Sequence, residues 1–316
     1  MSYLLLAGGL LLLIFGSNWL VDGASSLARK LNISDIVIGL TVVAFGTSSP
    51  ELVVNLIASI NGNTDIAIGN IVGSNIFNIL VILGVTAVVL PVRVMNNTVW
   101  KEIPFSILAV LILGFVANDI FIDGHQKNEI SRIDGLVLLS FFAIFMAYTF
   151  ILAKQSGPLM EVEKVRMSVP KAGFFVIAGL AGLFFGGRFL VMGAVDIART
   201  LGMTESVIGL TVVAAGTSLP ELATSITAAL KKNSDIAIGN VVGSNIFNVF
   251  FILGTSAVIN PLPFSPSSNF DVITALIASI LMFVFVFTRK GRKIDRPEGI
   301  FLVLVYIAYT IYLIGF

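Results

Sequence analysis

The chain contains no cysteine, so disulfides and thiol chemistry are excluded. Its single histidine, His125, falls in a loop between apolar runs. A serine–histidine nucleophile at membrane depth would need histidine inside a run, so an intramembrane hydrolase has no support. Charge is scarce as well: 12% of the 316 residues are Asp, Glu, Lys or Arg, against about 25% in a soluble domain. No basic face interleaved with aromatics exists, and nucleic acid is not a partner. The formal net charge of +1 implies neither an acidic nor a basic macromolecular partner. The first apolar run has no basic segment ahead of it, which reads as a retained helix and not a signal peptide.

What remains is mostly hydrophobic, 57% by count. Runs of about 20 apolar residues, the length that crosses a bilayer, recur from end to end. Bounded by charges and turn residues, they fall at 3–22, 36–60, 66–90, 103–122, 133–153, 173–193, 206–230, 236–260, 271–288 and 297–315. The expected fold is an all-α polytopic membrane protein of ten transmembrane helices.

A repeat organises these runs. Val37 to Asn78 and Val207 to Asn248 align at an offset of 170 without a gap, with 29 of 42 positions identical. Five spans per copy is an odd number, so the second copy enters the membrane from the opposite side. That is an inverted-topology repeat, a frequent plan of secondary transporters with the site near the midplane. The halves are 1–153 and 173–316, joined by a linker at 154–172 with one turn at Gly157-Pro158. The linker is too short for a folded regulatory domain. Basic residues divide fifteen to three between the two sets of loops. The richer set, which includes the linker, belongs in the cytoplasm, and both termini then lie outside. The repeat carries Asn61-Gly62 in one loop and Lys231-Lys232 in its counterpart, the change an inversion requires.

Each copy sets one glutamate in an apolar stretch: Glu51 in Gly46-Thr47-Ser48-Ser49-Pro50-Glu51, and Glu221 in Gly216-Thr217-Ser218-Leu219-Pro220-Glu221. A carboxylate in lipid is costly and marks function. Proline removes a backbone donor and glycine loosens the turn before it. The helix should break there, leaving carbonyls near Ala44, Thr47, Ala214 and Thr217 without partners, which is tolerated only beside a cavity or a ligand. The second element is Gly73-Ser74-Asn75-Ile76-Phe77-Asn78, repeated as Gly243-Ser244-Asn245-Ile246-Phe247-Asn248. Ser74 and Asn78 share one helix face, as do Ser244 and Asn248. Asn75 and Asn245 are expected to pack helices, and Asp65 and Asp235 to cap them. The donor atoms are hard oxygens suited to Ca²⁺, Na⁺ or Mg²⁺. One divalent ion or two monovalent ions neutralise two carboxylates, a physical basis for exchange at one site.

These paired motifs closely resemble the α-repeats of the calcium/cation antiporter superfamily, above all its prokaryotic sodium/calcium exchangers, over essentially the whole chain. The resemblance implies that Glu51 and Glu221 bind Ca²⁺ and shape the sodium sites. It implies that Thr47 and Thr217 offer carbonyl and hydroxyl, and that Ser48, Ser218, Ser74 and Ser244 coordinate Na⁺. Ala44 and Ala214 would give backbone carbonyls, and Asn78 and Asn248 would complete the centre. The first and sixth helices, with Gly8, Gly9, Gly16, Gly179, Gly182 and Gly186, would form a sliding gate. The potassium-dependent branch carries Asp where this chain has Asn248, so potassium cotransport is not expected. The large cytosolic calcium-sensing insert of animal members has no counterpart.

The expected activity is antiport of Ca²⁺ outward against Na⁺ inward by alternating access, electrogenic if more than two Na⁺ move per Ca²⁺. The alternative is an H⁺/Ca²⁺ exchanger titrating the same two glutamates. A passive channel is disfavoured, because a buried carboxylate pair binds too tightly for rapid conduction. No enzyme activity, cofactor or required protein partner is expected. The transported ions are the substrates, and the setting is the plasma membrane of a prokaryote.

Overall fold

The computed structural model describes residues 2–62, 64–122, 124, 127–155, 167–200, 214–289 and 291–315. His125, most of the linker and the start of the expected span at 206–230 lie outside them. Among the described residues eight helices are long and apolar enough to cross a membrane, and a bent pair makes a ninth.

Helix α1 (Ser2–Leu31) is followed by the bent pair α2 (Asp35–Thr47) and α3 (Ser49–Ile60), which meet at 47°. Then come α4 (Ala67–Val89), α5 (Thr98–Val116), α6 (Arg132–Gln155) and α7 (Val169–Thr200). A single turn at Ala214–Gly216 leads into α8 (Leu219–Leu230). Helices α9 (Ser234–Ile259), α10 (Asn269–Thr288) and α11 (Arg296–Gly315) complete the chain.

Hydropathy alone places the spans on an equal footing; burial separates them. The apolar window of α9 is 94% buried and that of α4 is 78% buried, whereas those of α6 and α11 are 17% buried. The repeat helices α4 and α9 are therefore the core, and the late helices of each half form an outer wall with apolar outward faces. Phe142 of α6 packs on Phe247 of α9 with ring centroids 4.9 Å apart, and Phe77 of α4 meets Tyr306 of α11 at 5.4 Å. Gly243 lets α9 lie directly on α2: a Cβ there would stand 2.7 Å from that of Ala44 and 2.9 Å from the Leu40 backbone.

Helices α1 and α7 are antiparallel and pack backbone to backbone. A Cβ at Gly16 would lie 2.9 Å from the Gly179 carbonyl, and one at Gly186 2.9 Å from that of Gly9. Gly23 and Gly193 extend the same seam over Ala172 and Ser2. The seam repeats every seventh residue in each helix, at 9, 16 and 23 and at 179, 186 and 193.

The structure departs from the expected boundaries in informative places. Helix α1 runs nine residues past the expected end at 22, to Leu31. Its last turns are polar because Asp22, Ser25, Ser26 and Arg29 line a cavity of about 780 Å³ instead of meeting lipid. Helix α7 likewise extends to Thr200. The span expected at 103–122 stops at Val116, and Asp119–Ile122 forms a separate turn. Two short antiparallel ribbons went unforeseen. Strand β1 (Val92–Arg93) pairs with β4 (Lys293–Ile294), and β2 (Glu129–Ile130) pairs with β3 (Leu262–Pro263). Each ties a loop of one half to a loop of the other. The cap of α9 is also reassigned: Asn233, not Asp235, accepts from Ile236 N–H at 3.1 Å.

Candidate cation site between the two repeats

The glycine–proline motifs break the helices where expected. Between α2 and α3, Ser48 leaves helical geometry (φ −80°, ψ 7°), and Pro50 occupies the first turn of α3. A proline costs nothing there, because that turn has no N–H partner to lose. Before α8, Ser218 adopts φ −91°, ψ 8°, and Pro220 sits alike. Each glutamate thus lies in the first turn of a new helix, where the N-terminal dipole favours negative charge. A second irregularity follows each GSN motif. The backbone widens to a π-type turn over Asn78–Leu83 and again over Phe247–Leu253, a feature common at functional sites.

These devices bring both copies together. Glu51 and Glu221 are each 1% exposed. Ser48 donates to Glu221 Oε1 at 2.9 Å, and Ser218 donates to Glu51 Oε1 at 3.1 Å. Each repeat's serine therefore holds the other repeat's carboxylate. Ser74 donates weakly to Glu51 Oε1 at 3.5 Å and lies 3.3 Å from the Ser218 hydroxyl. Ser244 is fully buried and its hydroxyl has no partner among the described residues. Among the described residues no ion pair reaches either glutamate.

Asn75 and Asn245 form the floor. Asn78 Nδ2 donates to Asn245 Oδ1 at 2.9 Å, and Asn248 Nδ2 donates to Asn75 Oδ1 at 2.9 Å. Asn75 Nδ2 reaches the Asn245 carbonyl at 3.3 Å. With their amide nitrogens held, Asn78 and Asn248 each keep a bare carbonyl oxygen. At this site, among the described residues, four buried acceptors are left without donors: Glu51 Oε2, Glu221 Oε2, Asn78 Oδ1 and Asn248 Oδ1. They come as two pairs related by the repeat. An orphaned buried acceptor costs about 1–3 kcal/mol, and more when charged. A hard cation satisfies such oxygens with no proton supplied by the protein.

Thr47 is buried and donates to Asn240 Oδ1 at 2.9 Å. Thr217 is half-buried, with its hydroxyl oxygen buried beside the Glu51 carboxylate, and among the described residues no group meets that hydroxyl in full hydrogen-bond geometry. It lines a cavity of about 240 Å³ with Pro50, Val54, Gly187 and Arg188. The carbonyl of Ala44 is not bare, as expected from the broken helix; it accepts Ser48 N–H at 3.0 Å and lies 3.3 Å from the Thr47 hydroxyl. The turn after the break is tight enough to close that bond, and one lone pair of the carbonyl remains. Ala214 lies in the turn ahead of Ser218, and its side chain is outside the description. Ser49 bonds back to the Phe45 carbonyl at 3.0 Å and takes no part.

Sequence reasoning missed Asn240 and Ser225. Asn240 joins the Glu221 carbonyl, the Ser225 hydroxyl and Thr47. The signal was present, because the Ile-Gly-Asn of each copy is identical, but a lone amide without a nearby charge reads as packing.

Two buried carboxylates held crosswise in broken helices, with hard-oxygen acceptors left free, define a secondary transporter of small cations, not an enzyme. The chain belongs to the sodium/calcium exchanger protein family, whose model matches residues 1–151 and 171–315. It is 39% identical over 310 residues to the putative antiporter CaxA of Alkalimonas amylolytica, covering 95% of each chain. It is 34% identical to the sodium/calcium exchanger MaX1 of Methanosarcina acetivorans, covering 99% of this chain and 98% of that one. The fold matches the sodium-calcium exchanger NCX_Mj soaked with Na⁺ and Sr²⁺, with a TM-score of 0.83 at 36% identity, covering 97% and 96% of the two chains.

Proposed function

We propose that this protein exchanges Ca²⁺ for Na⁺ across the membrane at one site shared by its two repeats. The observation that carries the reading is the set of four orphaned acceptors, Glu51 Oε2, Glu221 Oε2, Asn78 Oδ1 and Asn248 Oδ1. One Ca²⁺ would take both carboxylates. Sodium ions would take the same carboxylates together with the hydroxyls of Ser48, Ser218, Ser74, Ser244, Thr47 and Thr217 and the carbonyls of Ala44 and Ala214. Coupling follows because the two loads cannot neutralise one carboxylate pair at once. Exchange of more than two Na⁺ per Ca²⁺ would be electrogenic. The hydroxyls around the carboxylates favour Na⁺ over H⁺ as the coupling ion, since a proton carrier needs no such oxygens. The similarity to a named sodium/calcium exchanger points the same way.

In this reading the chain comprises two inverted five-helix halves, 1–153 and 173–316, with 154–172 as a cytoplasmic linker. Both termini lie outside the plasma membrane of a prokaryote, and the inward Na⁺ gradient drives Ca²⁺ export. The 240 Å³ cavity at Thr217 then opens toward the outer face, and the 780 Å³ cavity beside Asp22 lies on the cytoplasmic side.

The test is ⁴⁵Ca²⁺ uptake into Na⁺-loaded proteoliposomes diluted into Na⁺-free medium, beside K⁺-loaded vesicles with an imposed pH gradient. Uptake that requires internal Na⁺ and ignores the pH gradient supports the reading. Uptake that follows the pH gradient without Na⁺ would make Glu51 and Glu221 proton-coupled instead.

A further inference from the structure

The same position behaves differently in the two repeats. Asn240 of α9 is fully buried and its amide is completely engaged. Nδ2 donates to the Glu221 carbonyl at 3.2 Å and to Ser225 Oγ at 3.0 Å. Oδ1 accepts the Thr47 hydroxyl at 2.9 Å. The Thr47 proton also has the Ala44 carbonyl at 3.3 Å and the Glu221 carboxylate nearby, and the 2.9 Å bond to Asn240 is the shorter of its two hydrogen bonds. With its proton on Asn240, Thr47 presents only lone pairs to anything on its other side.

Asn70, the counterpart 170 residues earlier, is half-buried and donates to Asn55 Oδ1 at 2.7 Å. Thr217, the counterpart of Thr47, borders the 240 Å³ cavity with its hydroxyl beside Glu51, and among the described residues no asparagine accepts from it. The threonine bonded to an asparagine is fully buried, whereas its counterpart is half-buried, borders the cavity and turns its hydroxyl toward Glu51 with no asparagine holding it.

We infer that Asn240 is a positioning residue for the cation site, and that Asn70 assumes the same role toward Thr217 when access switches to the opposite face. The inference rests on the exchange reading above. A hydroxyl can offer a cation its oxygen only if its proton is directed elsewhere. On the closed side the asparagine supplies that fixed acceptor. On the open side no asparagine holds the hydroxyl, and its proton is left to turn toward Glu51. The threonine–asparagine bond therefore alternates between the repeats, and each bond stabilises the state in which its own side is shut.

The cysteine-free chain allows a direct test. Val54→Cys places one thiol in the 240 Å³ cavity, where an impermeant maleimide added outside reports on opening. Labelling is followed without Na⁺ or Ca²⁺, so lost ion binding does not enter. Asn240→Ala should slow labelling about five-fold, the scale of one buried hydrogen bond. Thr47→Val should do the same, and the double variant should be no slower than either. Adding Asn70→Ala to Asn240→Ala should restore the rate, because both closed states then lose their bond. If Asn240→Ala does not fold, Thr47→Val alone and with Thr217→Val carries the comparison. Single changes at 240 and 70 that shift labelling in the same direction, or not at all, would overturn the inference while leaving exchange intact. Failure of the wild type to exchange Na⁺ for Ca²⁺ would overturn both.

Discussion

The asparagine floor and the rim of the molecule obey the repeat to different degrees. At the floor the two copies are interchangeable: Asn78 meets Asn245 at 2.9 Å and Asn248 meets Asn75 at 2.9 Å. At the rim they are not. Lys231, in the loop after α8, pairs with Asp22 of α1 at 2.8 Å and donates to the Asn18 carbonyl at 3.1 Å. The corresponding positions 170 residues away are Asn61 and Met192, which cannot pair in that way. The Ser17 hydroxyl likewise meets Thr227 at 2.8 Å, where Gly187 and Ile57 are the counterparts. A perfectly symmetric inverted repeat would make its two access states equal in energy. The floor is the same for both copies, and the rim is one of the places where they differ.

The largest effect should come from the shared part. Glu51→Gln or Glu221→Gln should lower Na⁺-dependent Ca²⁺ uptake more than about 100-fold, since one charge of the pair is gone and a buried partner is left. The protein should still elute as a single folded species on size exclusion. Robust uptake by both variants would remove the carboxylate pair from the mechanism.

Next in size is the seam between α1 and α7. A Cβ at Gly179 would stand 2.5 Å from the Leu20 backbone nitrogen, so Gly179→Leu must push the helices apart. It should cost about 3 kcal/mol or more, read as a fall in the melting temperature of the solubilised protein. Gly8→Ala, with nothing within 4 Å, should move that temperature little, and equal losses would deny the seam its role.

A several-fold effect is expected at the serines. Ser74→Ala and Ser244→Ala should each raise the Na⁺ concentration for half-maximal exchange more than that of Ca²⁺, which keeps both carboxylates. A change confined to Ca²⁺ would redistribute the ligands. Because Ser74 bonds Glu51 and Ser244 has no partner among the described residues, the Ser244 change should shift the access state less.

The smallest effect should come from the rim. Asp22 and Lys231 keep 37% and 29% of their side-chain surface exposed, so the pair is screened and contributes at most about 1 kcal/mol. Asp22→Asn should alter the labelling rate of Val54→Cys by about two-fold, and less in high salt. A change as large as that of the glutamates would make the rim part of the site.

Much of this was legible in the chain because a repeat is a comparison written into the sequence. The breaks at Pro50 and Pro220, the carboxylates and the GSN serines all followed from residues that lipid does not tolerate without a reason. The polar end of α1 was misjudged, because Ser25 and Arg29, past the expected end at 22, read as a loop when the cavity beside them is unknown. The ribbons joining Val92 to Ile294 and Glu129 to Pro263 rest on two residues each and leave no period to detect. Asn240 was passed over for a different reason. Its three partners are remote in space from anything its neighbours in sequence reveal, and only the folded chain shows that Thr47 is one of them.

The seven-residue glycine seam between α1 and α7 has a bearing on leakage. Two antiparallel rods whose backbones touch at each glycine of the seam cannot tilt independently. A displacement that uncovers the site at one end of the pair is carried to the other end as the same rigid movement. If this pair is the sliding gate that the resemblance implies, the door on one face and the door on the other are a single bar, and an ion would have no moment at which both stand open.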